Sequence, residues 1–252
     1  MIDRVGEENY NNAGTLMKII EYKNCDNVLV EFQDEHKIKK SVKYKNFKKG
    51  NIKNPYDKTV FGVGYIGEGK YNAVDNSYTY ARWKSMLRRC YDPYLLNKYP
   101  TYRDCYVCDE WLCFQNFSEW YEENHYECNN EKMCLDKDIL IKGNKVYSPN
   151  TCIIVPERVN TLFIKAYANR GKYPIGVCLD KKTNKFRAHC HILDKDNKKL
   201  IQLGYYNSIE EAFLAYKSFK ENYIKQVADE YKDLIPKELY KAMYSYVVDI
   251  DD

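Results

Sequence analysis

Two hydrophobic periods alternate along this chain. Leu16-Met17-Lys18-Ile19-Ile20-Glu21-Tyr22 and Val28-Leu29-Val30-Glu31-Phe32 are β-branched runs joined by a turn at Asn24, Asp26 and Asn27, which predicts paired strands. Lys39 to Phe47, with lysines against Val42, Tyr44 and Phe47, predicts a third strand. The period then lengthens. Tyr80, Trp83, Met86, Leu87 and Cys90 share one side of a helix predicted over Tyr78–Tyr91, with Arg82, Lys84, Arg88 and Arg89 on the other. Trp111 to Tyr121 repeats the pattern, and its aromatics share one face as a core stripe does. Next comes a β-prone stretch, Leu135 to Leu140, a loop with Gly143-Asn144, and a short strand with Tyr147. A Ser148-Pro149-Asn150 turn follows, then a helix opening at Pro156 that carries Asn160. Beyond Tyr173 come three short alternating strands with turns at 181–184 and 194–198, then an amphipathic helix with Glu210 and Glu211 in its first turn. That helix stays periodic to Lys232, and another spans Leu239–Tyr246 after Pro236.

This order predicts an α+β protein in three parts: a small β unit over 1–60, a helical and finger-like middle over 61–168, and a sheet-on-helix unit with C-terminal helices over 169–252. Gly62, Gly64 and Gly67 spell GxGxxG, but the run is followed by loop rather than by an apolar helix. It reads as a glycine turn between the first two parts, not as a nucleotide site.

The charge is unevenly spread. The net value over 252 residues is only +4, yet His36 to Lys53 holds eight lysines and no acid, and Asp104 to Asp138 holds ten acids against two lysines. Such blocks are usually solvated faces, but a basic strand face can also meet phosphate. Tyr is abundant at 26, which suits interfaces and base stacking, or simply reflects the codon bias of an AT-rich genome. Ten Cys with neither a signal peptide nor a membrane-length apolar run point to a reducing, cytosolic setting with most thiols as small core residues. Cys105-Tyr-Val-Cys108 has Cys90 before it and Cys152 after it, so these four are the candidate zinc set.

Residues 135–160 resemble the ββα-metal finger of the HNH endonucleases of phage and mobile introns. That motif runs Asp-His, a middle Asn, then a metal-binding Asn or His on the helix. Asp136, Asn150 and Asn160 take the first, middle and helix positions, and Lys137 stands where the family has its catalytic His. The resemblance implies Mg²⁺ or Mn²⁺ held by Asp136 and Asn160, with Asn150 bracing the loop and the ion stabilising the leaving oxygen of a phosphodiester. Lys137 departs from it chemically. Imidazole near its ordinary ~6.5 accepts a proton at neutral pH, while a solvated amine near ~10.4 does not. Lys137 is therefore expected to stabilise charge rather than act as a base.

The part over 1–60 resembles small SH3-like barrels in size and pattern. A more continuous resemblance lies at 171–217. Tyr173-Pro-Ile-Gly-Val177, Lys185-Phe-Arg-Ala188, Leu203-Gly-Tyr-Tyr206 and Ser208-Ile-Glu-Glu-Ala-Phe-Leu-Ala-Tyr216 look like the APETALA-type DNA-binding domain. It implies three antiparallel strands on one helix, with the sheet entering the major groove of double-stranded DNA. Arg170, Lys172, Lys181, Lys185, Arg187, His189 and His191 are the contacts it nominates. Arg170 to Gln226 carries twelve Lys/Arg against six Asp/Glu.

Together these imply a phage-type DNA-binding protein in the cytoplasm of a bacterial host cell, hydrolysing phosphodiesters if its finger is active. The alternative is a non-catalytic binder: a DNA-binding regulator, or a viral counter-defence protein whose acidic 104–138 segment mimics DNA toward a host nucleic-acid enzyme.

Overall fold

The hydrophobic alternation at the start of the chain becomes an antiparallel meander of Glu8–Tyr10 (β1), Leu16–Asn24 (β2), Asn27–Phe32 (β3) and Lys39–Val42 (β4), paired in that order. This computed structural model describes residues 3–165, 172–194 and 197–252. The inward positions Met17, Ile19, Val28, Val30 and Phe32 are fully buried with Phe47 and Ile52. The edge strands β1 and β4 do not pair with each other, so the unit is an open sheet and not the expected closed barrel. The strand expected over Lys39–Phe47 also stops early. After Lys43 the chain forms a short helix, Tyr44–Lys48 (α1), because a helical turn puts both Tyr44 and Phe47 against the sheet, their rings 6.1 Å apart. Burying a ring such as Phe47 stabilises by about 1.5–3 kcal/mol.

Helix α2 (Ser77–Tyr91) buries Trp83, Met86, Leu87 and Cys90, the stripe read from the sequence. It is followed by α3 (Pro93–Lys98), a 3-10 turn over Pro100–Tyr102, and β5 (Tyr106–Val107). The helix expected from Trp111 to Tyr121 is two pieces, α4 (Asp109–Leu112) and α5 (Phe114–Asn124). The break at Cys113 is extended because Tyr65 lies alongside. Tyr65 N–H donates to Leu112 C=O at 3.0 Å, and Phe114 N–H donates to Tyr65 C=O at 2.9 Å. Trp111, Phe114 and Phe117 still reach one core, where Trp83 Nε1–H donates to Trp111 C=O at 2.7 Å. Gly64 lies so close to Leu87 and Trp83 that a side chain there would overlap them, so this glycine serves packing.

The remaining elements are β6 (Met133–Asp136), β7 (Val146–Tyr147), β8 (Ile153–Pro156), α6 (Glu157–Leu162), β9 (Val177–Asp180), β10 (Lys185–Asp194), β11 (Asn197–Tyr206), α7 (Ile209–Glu230) and α8 (Lys237–Tyr244). Two compact units result. The first runs to Asn124 and adds Lys145–Asn150; the second comprises His125–Asn144 and Thr151–Asp252. In the second, the antiparallel sheet β11-β10-β9 packs one face on α7, burying Val177, Ala188 and Cys190 against Ala212, Phe213 and Tyr216. Ser208 and Glu211 close a reciprocal capping box at the start of α7. Among the described residues no helix is long and apolar enough to cross a membrane.

Gly176 enters β9 at φ +77°, and a Cβ there would run into the Tyr216 ring. Gly176→Ala is expected to destabilise the protein by at least about 2 kcal/mol. Gly143→Ala, at φ +81° but in open space, should cost only about 1 kcal/mol of backbone strain. Urea denaturation of both variants checks the ordering, and equal losses would remove the Tyr216 contact as the cause.

Candidate functional site

The finger-like stretch is built from β6, β8 and α6. Strand β6 pairs antiparallel with β8, Met133 opposite Pro156 and Asp136 opposite Ile153. The strand expected at Tyr147 does not complete this hairpin. Strand β7 pairs in parallel with β5, and Tyr147 is buried with its hydroxyl accepting from Arg89 at 3.2 Å. Four consecutive apolar residues, Ile153 to Pro156, are all buried in β8, so β8 has the stronger claim to the hairpin. Helix α6 starts directly after Pro156. Glu157 N–H donates to Lys132 C=O, and the Lys132 ammonium pairs with the Glu157 carboxylate at 2.7 Å.

Asp136 is half-buried at the end of β6, and its Oδ1 accepts from the N–H groups of Asp138 and Ile139, both at 2.8 Å. Burial, and then the Asp138 carboxylate, push its carboxyl up to about 6. Lys137 is only 8% exposed. Its Nζ donates to Asp138 Oδ2 at 3.1 Å and to Asn144 C=O at 2.7 Å, while Asn144 Nδ2 donates back to Lys137 C=O at 2.6 Å. The side chains of Lys137 and Asn144 thus clasp the two ends of the loop between them. As an ammonium, Lys137 is a donor only and has no lone pair with which to take a proton from a water molecule. The sequence marks Asn144 only as a loop residue beside Gly143, because its partner is set by loop closure rather than by spacing.

Asn160 is half-buried on α6, a helix that packs on β6. Asn150 is exposed and belongs to the first compact unit, whereas Asp136, Lys137 and Asn160 belong to the second. A half-buried carboxyl with a raised pKa and both backbone bonds on one oxygen suits a hard cation, whose charge would relieve the desolvation. Among the described residues no three His, Cys, Asp or Glu side chains gather as a metal-holding group. The cysteine set gathers no such group either. Cys90, Cys105 and Cys108 lie in the first unit and Cys152 in the second, and burial pushes the Cys108 thiol up.

The sheet of the second unit carries the other candidate residues. Lys185, Arg187, His189 and His191 alternate with the inward Phe186, Ala188 and Cys190 along β10, so they form one outward row. Opposite them on β11 stand Tyr205 across from Arg187, Gln202 across from His189 and Leu200 across from His191. A bulge at Leu203-Gly204 resets the register between them, which is why the outward residues of β11 were not legible from alternation alone. Arg187 lies beside Cys178 and Tyr205, and its Nε is buried without a hydrogen-bond partner among the described residues. His189 Nδ1 is 3.9 Å from Cys178 Sγ, and burial, Arg187 and His191 all lower its pKa. Lys181 is exposed in the β9–β10 turn, and Lys172 is exposed with its Nζ 5.3 Å from the centre of the Tyr173 ring. Arg170 lies outside the described residues.

Compared with protein-family models, curated proteins and solved structures, the chain matches none.

Removing either half of the clasp should loosen the loop. Lys137→Ala and Asn144→Ala are each expected to cost about 1–3 kcal/mol, with a double variant well short of the sum. Additive losses in a denaturation cycle would mean the two residues act separately. Asp136 predicts a pH effect of opposite sign. Its folded pKa lies above the unfolded value, so in metal-free buffer the wild type loses stability as pH rises from about 4 through about 6. Asp136→Asn keeps the Oδ1 acceptor and should gain on the order of 2 kcal/mol at pH 7.5, a gain absent at pH 3.5. A variant less stable than wild type at pH 7.5 would contradict this.

Proposed function

We propose that this chain is a DNA-binding protein of the phage HNH type, holding double-stranded DNA on the open face of the β9–β11 sheet. The observation that carries the reading is the single outward row Lys185, Arg187, His189 and His191 on the central strand. A three-stranded antiparallel sheet fits the width of the major groove, and its cations meet phosphates and the acceptor edges of guanine. In this reading Arg187, steadied beside Tyr205, contacts a base, while Lys181 and Lys185 neutralise phosphates. Lys172 and Arg170 extend the same basic run along the chain.

Hydrolysis is the part of the resemblance with least support. In a working finger, Asp136 and Asn160 would hold the divalent ion, which supplies charge stabilisation at the leaving oxygen. The proton acceptor is the difficulty, because Lys137 is buried and shared between Asp138 and Asn144. That geometry favours a second reading: a protein that keeps the finger as scaffold and binds DNA without cutting it. The three-part organisation, with a β unit, a finger-bearing middle and a DNA-holding end, belongs to both readings.

Binding and cleavage separate in one set of assays. The wild type should retard duplex DNA and leave a supercoiled plasmid intact in Mg²⁺ or Mn²⁺. Arg187→Gln should weaken specific binding by about 1–3 kcal/mol, and Lys185→Gln should lower the salt dependence by about one released counterion. Plasmid nicking that disappears in Asp136→Ala would restore the nuclease reading. Unchanged DNA affinity in both sheet variants would remove the sheet as the binding surface.

A further inference from the structure

In the first compact unit, a cavity of about 290 Å³ opens between α2 and the segment that follows it, lined by Ser85, Arg88, Arg89, Leu95, Tyr99 and Tyr102. Its shape follows from the local sequence. Ser85, Arg88 and Arg89 lie at i, i+3 and i+4, hence on one face of α2, away from the buried Trp83, Met86 and Leu87. Asp92 ends α2 and caps α3, accepting from Tyr94 N–H at 2.9 Å, and this turn brings Leu95, Tyr99 and Tyr102 round as the facing wall.

Charge and hydrogen bonding in this cavity are one-sided. No carboxylate lines the cavity, and Asp92 beside it is already engaged: one oxygen takes Arg88 Nε–H at 3.0 Å and the other takes Tyr94 N–H, which holds its pKa below the usual range. That bond uses only the Nε of Arg88 and orients the guanidinium. Its two terminal NH₂ groups have no protein acceptor among the described residues, and neither do the hydroxyls of Ser85, Tyr99 and Tyr102. Arg89 stands one residue on, with one terminal nitrogen 3.2 Å from Tyr147 Oη. The C-terminal end of α2 contributes about half a negative charge, which two arginines against one aspartate more than offset. Every polar side chain on the wall can donate a hydrogen bond, and the rest of the side-chain wall is one leucine and the rings of the two tyrosines. The volume lies just below the ~300–1,000 Å³ range of ligand pockets, the size of a small ligand.

We propose that this cavity binds a nucleotide: its phosphate on the Arg88 and Arg89 guanidinium groups with Ser85, and its base against the Tyr99 and Tyr102 rings. Planar guanidinium groups match phosphate oxygens in pairs, and phenol rings stack any base, so the site has little preference among bases. The nucleotide is either free or one unit of a single strand, since both offer the same phosphate and base. The inference is independent of duplex binding on the β9–β11 sheet.

The test is calorimetric titration of the full chain at low salt with a nucleoside 5′-monophosphate, the matching nucleoside, inorganic phosphate and a single-stranded tetranucleotide. The monophosphate is expected to bind at least about tenfold tighter than the nucleoside or phosphate, because the site uses both parts. Arg88→Gln and Tyr99→Ala should each weaken it about fivefold or more. Tyr99 is 43% exposed, so its truncation leaves the fold intact even if Arg88→Gln disturbs the Asp92 turn. Arg187→Gln should leave this binding unchanged, which separates it from the sheet. A tetranucleotide that binds tighter than the monophosphate assigns the ligand to a strand, and the reverse order assigns it to free nucleotide. No binding of the monophosphate at about millimolar concentration, affinity no better than that of phosphate, or affinity unchanged in both variants would overturn the proposal.

Discussion

The second compact unit depends on the two-sidedness of β10. As the central strand it pairs with β11 from Phe186 to Asp194 and with β9 from Lys185 to Ala188, so what it can present to either face is its side chains. Phe186, Ala188 and Cys190 go into the core with Ala212, Phe213 and Tyr216 of α7. The two-residue period then sends Lys185, Arg187, His189 and His191 the other way. A slip of one residue would bury four basic or titratable side chains and expose the core, so register and surface chemistry are one constraint. Gly176 belongs to the same constraint, since the Tyr216 ring fills the space a side chain would take.

The finger loop obeys a different rule. Its closure rests on a buried ammonium whose charge is shared between a carboxylate and a backbone carbonyl, with an amide returning the bond. Removing one partner would leave the other desolvated, so each half of the clasp holds the other in place. Its neighbour Asp136 carries the electrostatic cost of this crowded loop. The same few residues that look like a displaced catalytic pair are thus also the loop's internal scaffold. A histidine at position 137 could not reproduce both bonds of the lysine without rearrangement of the loop.

Basic side chains recur in two contrasting settings. Those on the sheet stand in a row on a regular surface, which suits a regular polymer. Arg88 and Arg89 stand at the edge of a concavity with phenol rings opposite, which suits a single unit. The abundance of tyrosine acquires different meanings in the two places: Tyr205 steadies an arginine, while Tyr99 and Tyr102 form a wall.

Much of the architecture was legible from periodicity. The Trp83-Met86-Leu87-Cys90 stripe, the β2–β3 turn, and three strands ahead of an amphipathic helix follow from side-chain spacing, because burial of one face imposes a period on any sequence that folds that way. The α+β class follows from their order. Spacing did not show that Lys39–Phe47 bends into a helix, that Cys113 breaks its helix to run beside Tyr65, or that β8 rather than β7 partners β6. Each was decided by a residue distant in sequence competing for the same backbone or core space. The candidate site divides in the same way. Asp136, Asn160 and the β10 row could be named in advance because they sit at fixed offsets within single elements. The Lys137–Asn144 clasp, the β11 residues behind a bulge, and the cavity beside α2 exist only after the chain has folded back on itself. Long-range closure, unlike local periodicity, leaves no regular trace in one dimension.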